Sequence, residues 1–268
     1  VFISDCAVAS EQGRMTMPAI HPQQRLDWID QLRALAMLWM TAFHFCFDLN
    51  HFNLIQENFY RDPFWTWQRT AIVSLFLFTA GLSQAMASAQ GQAWPRFWRR
   101  WVQVAGAALL VTAGSWFMFP RSFIYFGVLH GIAVMLVLVR LTVGWRFWLW
   151  PLGALAVSAP WWTPSLIAHW TALEVLNTRW LNWLGLISRK PVTEDYVPVL
   201  PWLGVMWWGV AAGQWTLQNR PQWLGAGDVP GRSVRMGLAI LGRWSLSYYL
   251  LHQPVMIGLI AASVYLLR

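Results

Sequence analysis

The chain alternates between long apolar runs and short polar joints. A helix that crosses a bilayer needs about 20 predominantly apolar residues. Seven runs approach that length: 29–49, 70–89, 101–119, 123–141, 146–162, 198–217 and 244–267. The fifth is short and holds Pro151 and Pro160, which read as interruptions of a helix. Between the fifth and sixth runs, residues 163–195 mix Trp170, Trp180 and Trp183 with Glu174, Arg179, Arg189 and Lys190, as in a segment lying on the membrane surface. The pattern predicts an all-α, polytopic membrane bundle of about seven transmembrane helices. A polar N-terminal extension over 1–24, with Met15 or Met17 as a candidate start, is expected to precede one transmembrane domain over 25–268.

Composition strengthens this reading. Hydrophobic residues make up 57% of the 268 positions and charged residues 11%, against about 45–50% and about 25% in soluble domains. There are too few charges to coat a soluble surface. A disordered chain, a disulfide scaffold and a nucleic-acid binder are excluded, and the expected partner is the lipid bilayer. The net charge of +8 comes almost wholly from Arg, placed mostly between the apolar runs. Counted on alternate sides of seven spans, twelve basic residues share the side of the N-terminus and seven lie opposite. The positive-inside rule then puts the N-terminus in the cytoplasm. Glu57, Asp62, Glu174, Glu194 and Asp195 all fall on the other side.

An ionisable residue inside a span is expensive, so each is a candidate for function. The first run carries Asp30, Arg33, His44 and Asp48. Arg33 and His44 are eleven residues apart, which returns almost to the same helical face about 16 Å further along the axis. His44 and Asp48, four apart, are neighbours on that face. The pattern is a cation at one rim and an imidazole–carboxylate pair past mid-membrane, and such a pair resembles a base with its orienting group. Asp30 and Arg33 read equally well as an interfacial ion pair. His130 and His252 lie at comparable depth in two other runs. Each alone reads as a hydrogen-bonded core residue, and together with His44 they suggest a shared polar cavity. Asp195 and Tyr196 stand at the mouth of the sixth run, and WPRFWRRW offers Arg96, Arg99 and Arg100 on the N-terminal side. Those arginines serve topology, phosphate binding, or both. Metal-ligand spacings, a nucleophile elbow and phosphate-binding glycine loops are absent from the sequence.

Five segments in order carry a resemblance: RLDWIDQLRALAMLWMTAFHFCFDLNHF, FLFTAGLS, YFGVLHGIAV, DYVPVLPWLG and LGRWSLSYYLLHQPV. From Arg25 to Pro254 the chain resembles the bacterial branch of the heparan-alpha-glucosaminide N-acetyltransferase catalytic-domain family. That family lies within a wider group of transmembrane acyltransferases, some of which O-acetylate bacterial glycans. The resemblance implies a multi-pass protein of the bacterial inner membrane. Acetyl-CoA or another acyl-CoA would donate from the cytoplasm, without a metal, to a saccharide amine or hydroxyl at or beyond the far side. In the wider group a basic residue and a His stand in the first catalytic helix with ten residues between them, matched by Arg33 and His44, and a cytoplasmic Arg-x-x-Arg is matched by Arg96 and Arg99. In the lysosomal branch the active-site His lies further along, after an Asn at the position of His44, so His51 competes with His44 for the role.

The residues suit this chemistry on their own terms. An arginine rim with an imidazole about 16 Å deeper matches an anionic nucleotide head and a long arm ending in a thioester. The imidazole could deprotonate the acceptor or take the acyl group itself. Two rivals use the same residues differently: a small-molecule transporter or channel lined by His, Asp and Arg, and a haem or quinone protein ligated by buried His.

Overall fold

Lipid offers no hydrogen bonds to the backbone, so a segment that crosses it must satisfy its own N–H and C=O groups. The computed structural model describes residues 27–220 and 232–266, and the expected extension over 1–24 lies outside the described residues. Among the described residues the chain is helical, with no strand beyond an isolated bridge between Phe126 and Tyr196. The helices are α1 (Asp27–His51), α2 (Pro63–Ala89), α3 (Trp94–Met118), α4 (Val128–Thr142), α5 (Leu149–Val157), α6 (Ala159–His169), α7 (Val199–Asn219), α8 (Arg232–Arg243) and α9 (Ser245–Leu266). Short 3₁₀ turns cover Val143–Trp148, Thr171–Asn177 and Asn182–Leu184.

Five segments are long and apolar enough to cross a membrane: α1, α2, α3, Val128–Val157 and α9. The protein is therefore a multi-pass membrane protein. Val128–Val157 contains α4, the first 3₁₀ turn and α5, and it doubles back on itself. From Gly131 to Val143 its neighbours on the 197–219 stretch run from the Val197 carbonyl to Gln214. From Val143 to Gly153 they run back through Trp208 to Gly204. The reversal is made at Arg146, whose φ of 48° and ψ of −109° break the helical path. The seven apolar runs thus fall on α1, α2, α3, α4, α5 with α6, α7 and α9.

Two sequence expectations need correction. The fifth run does not stop at residue 162, because α6 continues to His169. Pro160 sits in the first turn of α6 and Pro151 in the first turn of α5, where the missing N–H would have no partner anyway. The second correction is α8, which lies in a stretch read only as a basic joint. Its Ala239 and Gly242 are buried, while Val234, Met236 and Ile240 are exposed.

The centre of the bundle is α7, pressed between α2 and α5. Glycines allow the approach: a side chain on Gly81 of α2 would meet the backbone of Met206 and Val210, and one on Gly209 would meet Phe78. Gly204 faces Gly153 of α5 in the same way. Within lipid, helix association depends on such close packing, since the surroundings are as apolar as the side chains. Trp207 and Gln214 of α7 donate to Thr142 Oγ1 and the Val143 carbonyl at 2.9 and 2.7 Å. The α1 helix joins the core through Ile29 with Leu82 and Met86 near its start, and through Met40 and Phe43 with Phe59 and Ile72 further along.

Gly81→Leu should lower the thermal midpoint of the detergent-solubilised protein, by the equivalent of about 1–3 kcal/mol for an overpacked contact. Gly106→Leu, where a side chain meets nothing within 4 Å, should leave the midpoint unchanged or raise it. Similar losses at both positions would mean that α2 and α7 do not approach as described.

Candidate functional site

The polar residues of α1 divide into two clusters. Near its start, Asp30 is buried, and its Oδ1 accepts from Arg33 Nη1 at 2.7 Å. Arg33 also donates to Ser83 Oγ of α2 at 2.8 Å and reaches the Gly242 carbonyl of α8 at 3.5 Å. Arg243 pairs with Asp27 at 2.7 Å and lies 3.8 Å from Asp30. This network ties α1, α2 and α8 together, so Arg33 has a structural partner as well as a place at the rim. A cleft of about 470 Å³ opens beside it, lined by Arg100 and Gln103 of α3 and by Arg243, Trp244, Leu246 and Ser247 at the α8–α9 junction. Arg96 and Arg99 stand exposed in the first two turns of α3, adjoining Arg100.

The second cluster lies at the seam of α1 and α9. His44 and His252 meet edge to face, with ring centroids 5.3 Å apart. Asp48 is buried and accepts from Gln253 Nε2 at 3.3 Å. Thr41 and Tyr248 share a hydrogen bond of 2.7 Å between the same helices, and the Tyr248 ring stacks on His252. Three buried polar atoms here have no hydrogen-bond partner: His44 Nδ1, Asp48 Oδ2 and His252 Nε2. Such atoms are costly to bury, and their concentration at one seam makes it the candidate site. The expected His44–Asp48 hydrogen bond is not made. Their spacing does put both on the face toward α9, where each meets a different residue.

The remaining predicted residues sit further along. His51 is exposed at the end of α1, with its ring 6.4 Å from that of Phe119. His130 is already engaged, with Nε2 3.0 Å from Thr112 Oγ1 and Nδ1 accepting from the Gly127 N–H at 3.3 Å. Asp195 accepts from the Val128 N–H at 2.7 Å and so caps α4. Burial raises its pKa, while that N–H and the Arg69 guanidinium pull the other way. Tyr196 donates to the Asn182 carbonyl at 2.6 Å, and burial pushes its pKa well above the usual phenol range. Of the three buried histidines expected to share a cavity, the structure brings His44 and His252 into contact and gives His130 partners of its own.

Sequence reasoning passed over Tyr248, Tyr249 and Gln253 at the seam and Arg243 and Trp244 at the cleft. The first three lie in SYYLLHQP, around a histidine that was singled out. Helical spacing of polar groups about His252 was the available signal. Arg243 and Trp244 gave none, because their place depends on the fold of α8.

Asp195→Ala should cost about 0.5–2 kcal/mol through loss of the cap. Asp195→Asn should keep the acceptor for the Val128 N–H and cost less. A raised folded-state pKa means that the folded protein holds this proton more tightly than the unfolded chain. Wild type should therefore gain stability relative to Asp195→Asn as pH falls through that pKa. Thermal unfolding across pH checks this, and a relative gain on raising pH would contradict it.

The fold and these two clusters can be set beside known proteins. The family model described as "Heparan-alpha-glucosaminide N-acetyltransferase, catalytic" matches residues 25–254. No curated protein and no solved structure matches the chain. The family match covers α1 to α8 and reaches into α9 past His252, so it takes in both the arginine end and the histidine seam. The chain belongs to the heparan-alpha-glucosaminide N-acetyltransferase catalytic-domain family, a family of membrane acetyltransferases.

Proposed function

We propose that the protein takes an acyl group, most simply acetyl, from acyl-CoA in the bacterial cytoplasm and delivers it to a saccharide amine or hydroxyl at or beyond the far face of the inner membrane. The observation that carries this reading is the seam of α1 and α9, where His44 Nδ1 and Asp48 Oδ2 are buried without partners on the helix that also carries Arg33. An imidazole so placed acts on the thioester as a base or as an acyl acceptor. Asp48 tunes it at one remove. His44 is preferred to His51, which is exposed.

The donor's phosphates belong with Arg33, Arg96 and Arg99. Arg96 and Arg99 crowd the N-terminal end of α3, where the helix dipole is already positive, so an anion nearby would relieve their repulsion. Arg100, the next residue in the chain after Arg99, borders the cleft together with Arg243. Guanidinium forks also match phosphate geometry. The acceptor approaches from the opposite end, past Asp195 and Tyr196, with His130 positioning the start of α4. The N-terminus is cytoplasmic in this reading.

The test is thiol release from acetyl-CoA by the protein in proteoliposomes, with and without amino sugars. His44→Ala should reduce transfer by about 10²–10⁴-fold while acyl-CoA still binds. If no acceptor supports thiol release by wild type, the reading fails. His51→Ala inactive with His44→Ala active would move the reactive histidine to residue 51.

Binding of acyl-CoA tests the donor site separately. Each phosphate contact is worth roughly 1.5–3 kcal/mol, so Arg99→Ala should weaken binding by about one to two orders of magnitude. Added salt should weaken it further. Arg33→Ala should also destabilise the fold, because the buried Asp30 carboxylate loses its 2.7 Å partner and keeps Arg243 only at 3.8 Å. Arg146→Ala, outside the cluster, should bind normally; equal losses at Arg146 and Arg99 would place the donor elsewhere.

A further inference from the structure

One histidine of the seam has its proton placed by the fold. His252 Nδ1 lies 2.7 Å from the Tyr249 carbonyl. A carbonyl only accepts, so Nδ1 must carry the hydrogen and donate it. In the neutral ring Nε2 is then a bare lone pair, and that atom is buried with no partner. The Tyr248 ring lies parallel to the imidazole, with centroids 5.9 Å apart, and the Tyr249 ring tilts against it at 5.7 Å. Tyr248 is itself held by Thr41 at 2.7 Å. The ring of His252 is thus fixed in tautomer and in orientation, as a general base requires.

His44 is set up differently. Its Nδ1 has no partner, so nothing in the fold selects its tautomer. Its ring meets that of His252 edge to face. The other ionisable neighbours are Asp48, which reaches His252's neighbour Gln253, and the two tyrosines.

We propose that His252 is the general base of acyl transfer, with Nε2 taking the proton from the acceptor's amine or hydroxyl. The new bond forms between the acceptor nitrogen or oxygen and the acyl carbon as the carbon–sulfur bond of the thioester breaks. The proton held on Nε2 passes to the departing thiolate, which leaves as free thiol and restores the neutral ring. Nδ1 keeps its hydrogen on the Tyr249 carbonyl throughout. His44 is then free to act on the acyl side of the same reaction. This assignment rests on the acyl-transfer reading above and adds to it the residue that activates the acceptor.

The experiment uses the full chain in proteoliposomes with acetyl-CoA and glucosamine. His252→Asn retains an amide N–H at the position of Nδ1, and so the bond to the Tyr249 carbonyl, but has no base at Nε2. It should unfold at the wild-type temperature, bind acetyl-CoA as wild type does, and transfer about 10²–10⁴-fold more slowly. His252→Ala should regain part of its activity with added imidazole, which a purely structural role would not allow. Nitrogen-15 spectra of histidine-labelled wild-type protein should show His252 protonated at Nδ1 when neutral, and this holds as a test even if the variants fail to fold. Undiminished transfer by His252→Asn, no imidazole rescue, or a neutral ring protonated at Nε2 would each overturn the assignment. An active wild type with an equally active His252→Asn would sink this inference alone, whereas a wild type that releases no thiol would sink the acyl-transfer reading and this inference with it.

Discussion

The bundle depends on how closely α7 can approach its neighbours. In lipid there is no hydrophobic gain from bringing two apolar helices together, so contact distance and hydrogen bonds decide which pairs form. Gly81 against Met206, Gly209 against Phe78 and Gly204 against Gly153 let backbones touch where any side chain would hold them apart. Trp207 and Gln214 then reach α4 and the turn after it. With α2, α4, α5 and α7 locked in this way, α1, α8 and α9 are left as an outer assembly laid against a rigid block. The histidine cluster lies within that outer assembly, and the ionic cluster lies where it meets α2 at Ser83.

The division has a chemical sense. A tightly packed core of glycine and apolar side chains leaves no room for a molecule as long as the acyl-CoA proposed as donor. The seam between α1 and α9 is joined by few direct polar contacts, chiefly Thr41 with Tyr248 and Asp48 with Gln253. Its two histidines meet without a hydrogen bond between them. At the other end of α1, the Asp30–Arg33 pair is buried and reinforced by Ser83 and Gly242. Removing the near partner of a buried carboxylate costs more than the pair's own net stabilisation, and here Arg243 at 3.8 Å offsets only part of that loss. That end therefore fixes how α8 sits on α1, and with it the cleft at the α8–α9 junction.

Much of this was legible in the sequence because membrane helices announce themselves through length and apolarity. The seven runs all fall on helices, and the ionisable residues of α1 mark both clusters. The elements that were missed are those whose signal is not apolar length. α8 is short and basic at both ends, and its buried Gly242 becomes meaningful only once the Asp30 backbone lies against it. Pro151 and Pro160 read as breaks because a proline's effect depends on its position from the helix start, which the chain does not label. The same holds for His44 and Asp48: spacing along one helix puts them on one face, but their partners come from α9, some two hundred residues away.

His130 shows why depth alone could not sort the histidines. By position in its run it is the equal of His252. Yet His130 stands in the first turn of α4, where backbone N–H groups lack partners, and its ring accepts from Gly127 while Thr112 meets the other nitrogen. His252 stands inside α9, where the neighbouring carbonyl of Tyr249 claims Nδ1 and leaves Nε2 facing the seam. A histidine at a helix start is consumed by the backbone it caps. One placed a turn beyond a carbonyl in the helix body keeps a lone pair unused, and that difference is what makes His252 rather than His130 the proposed base.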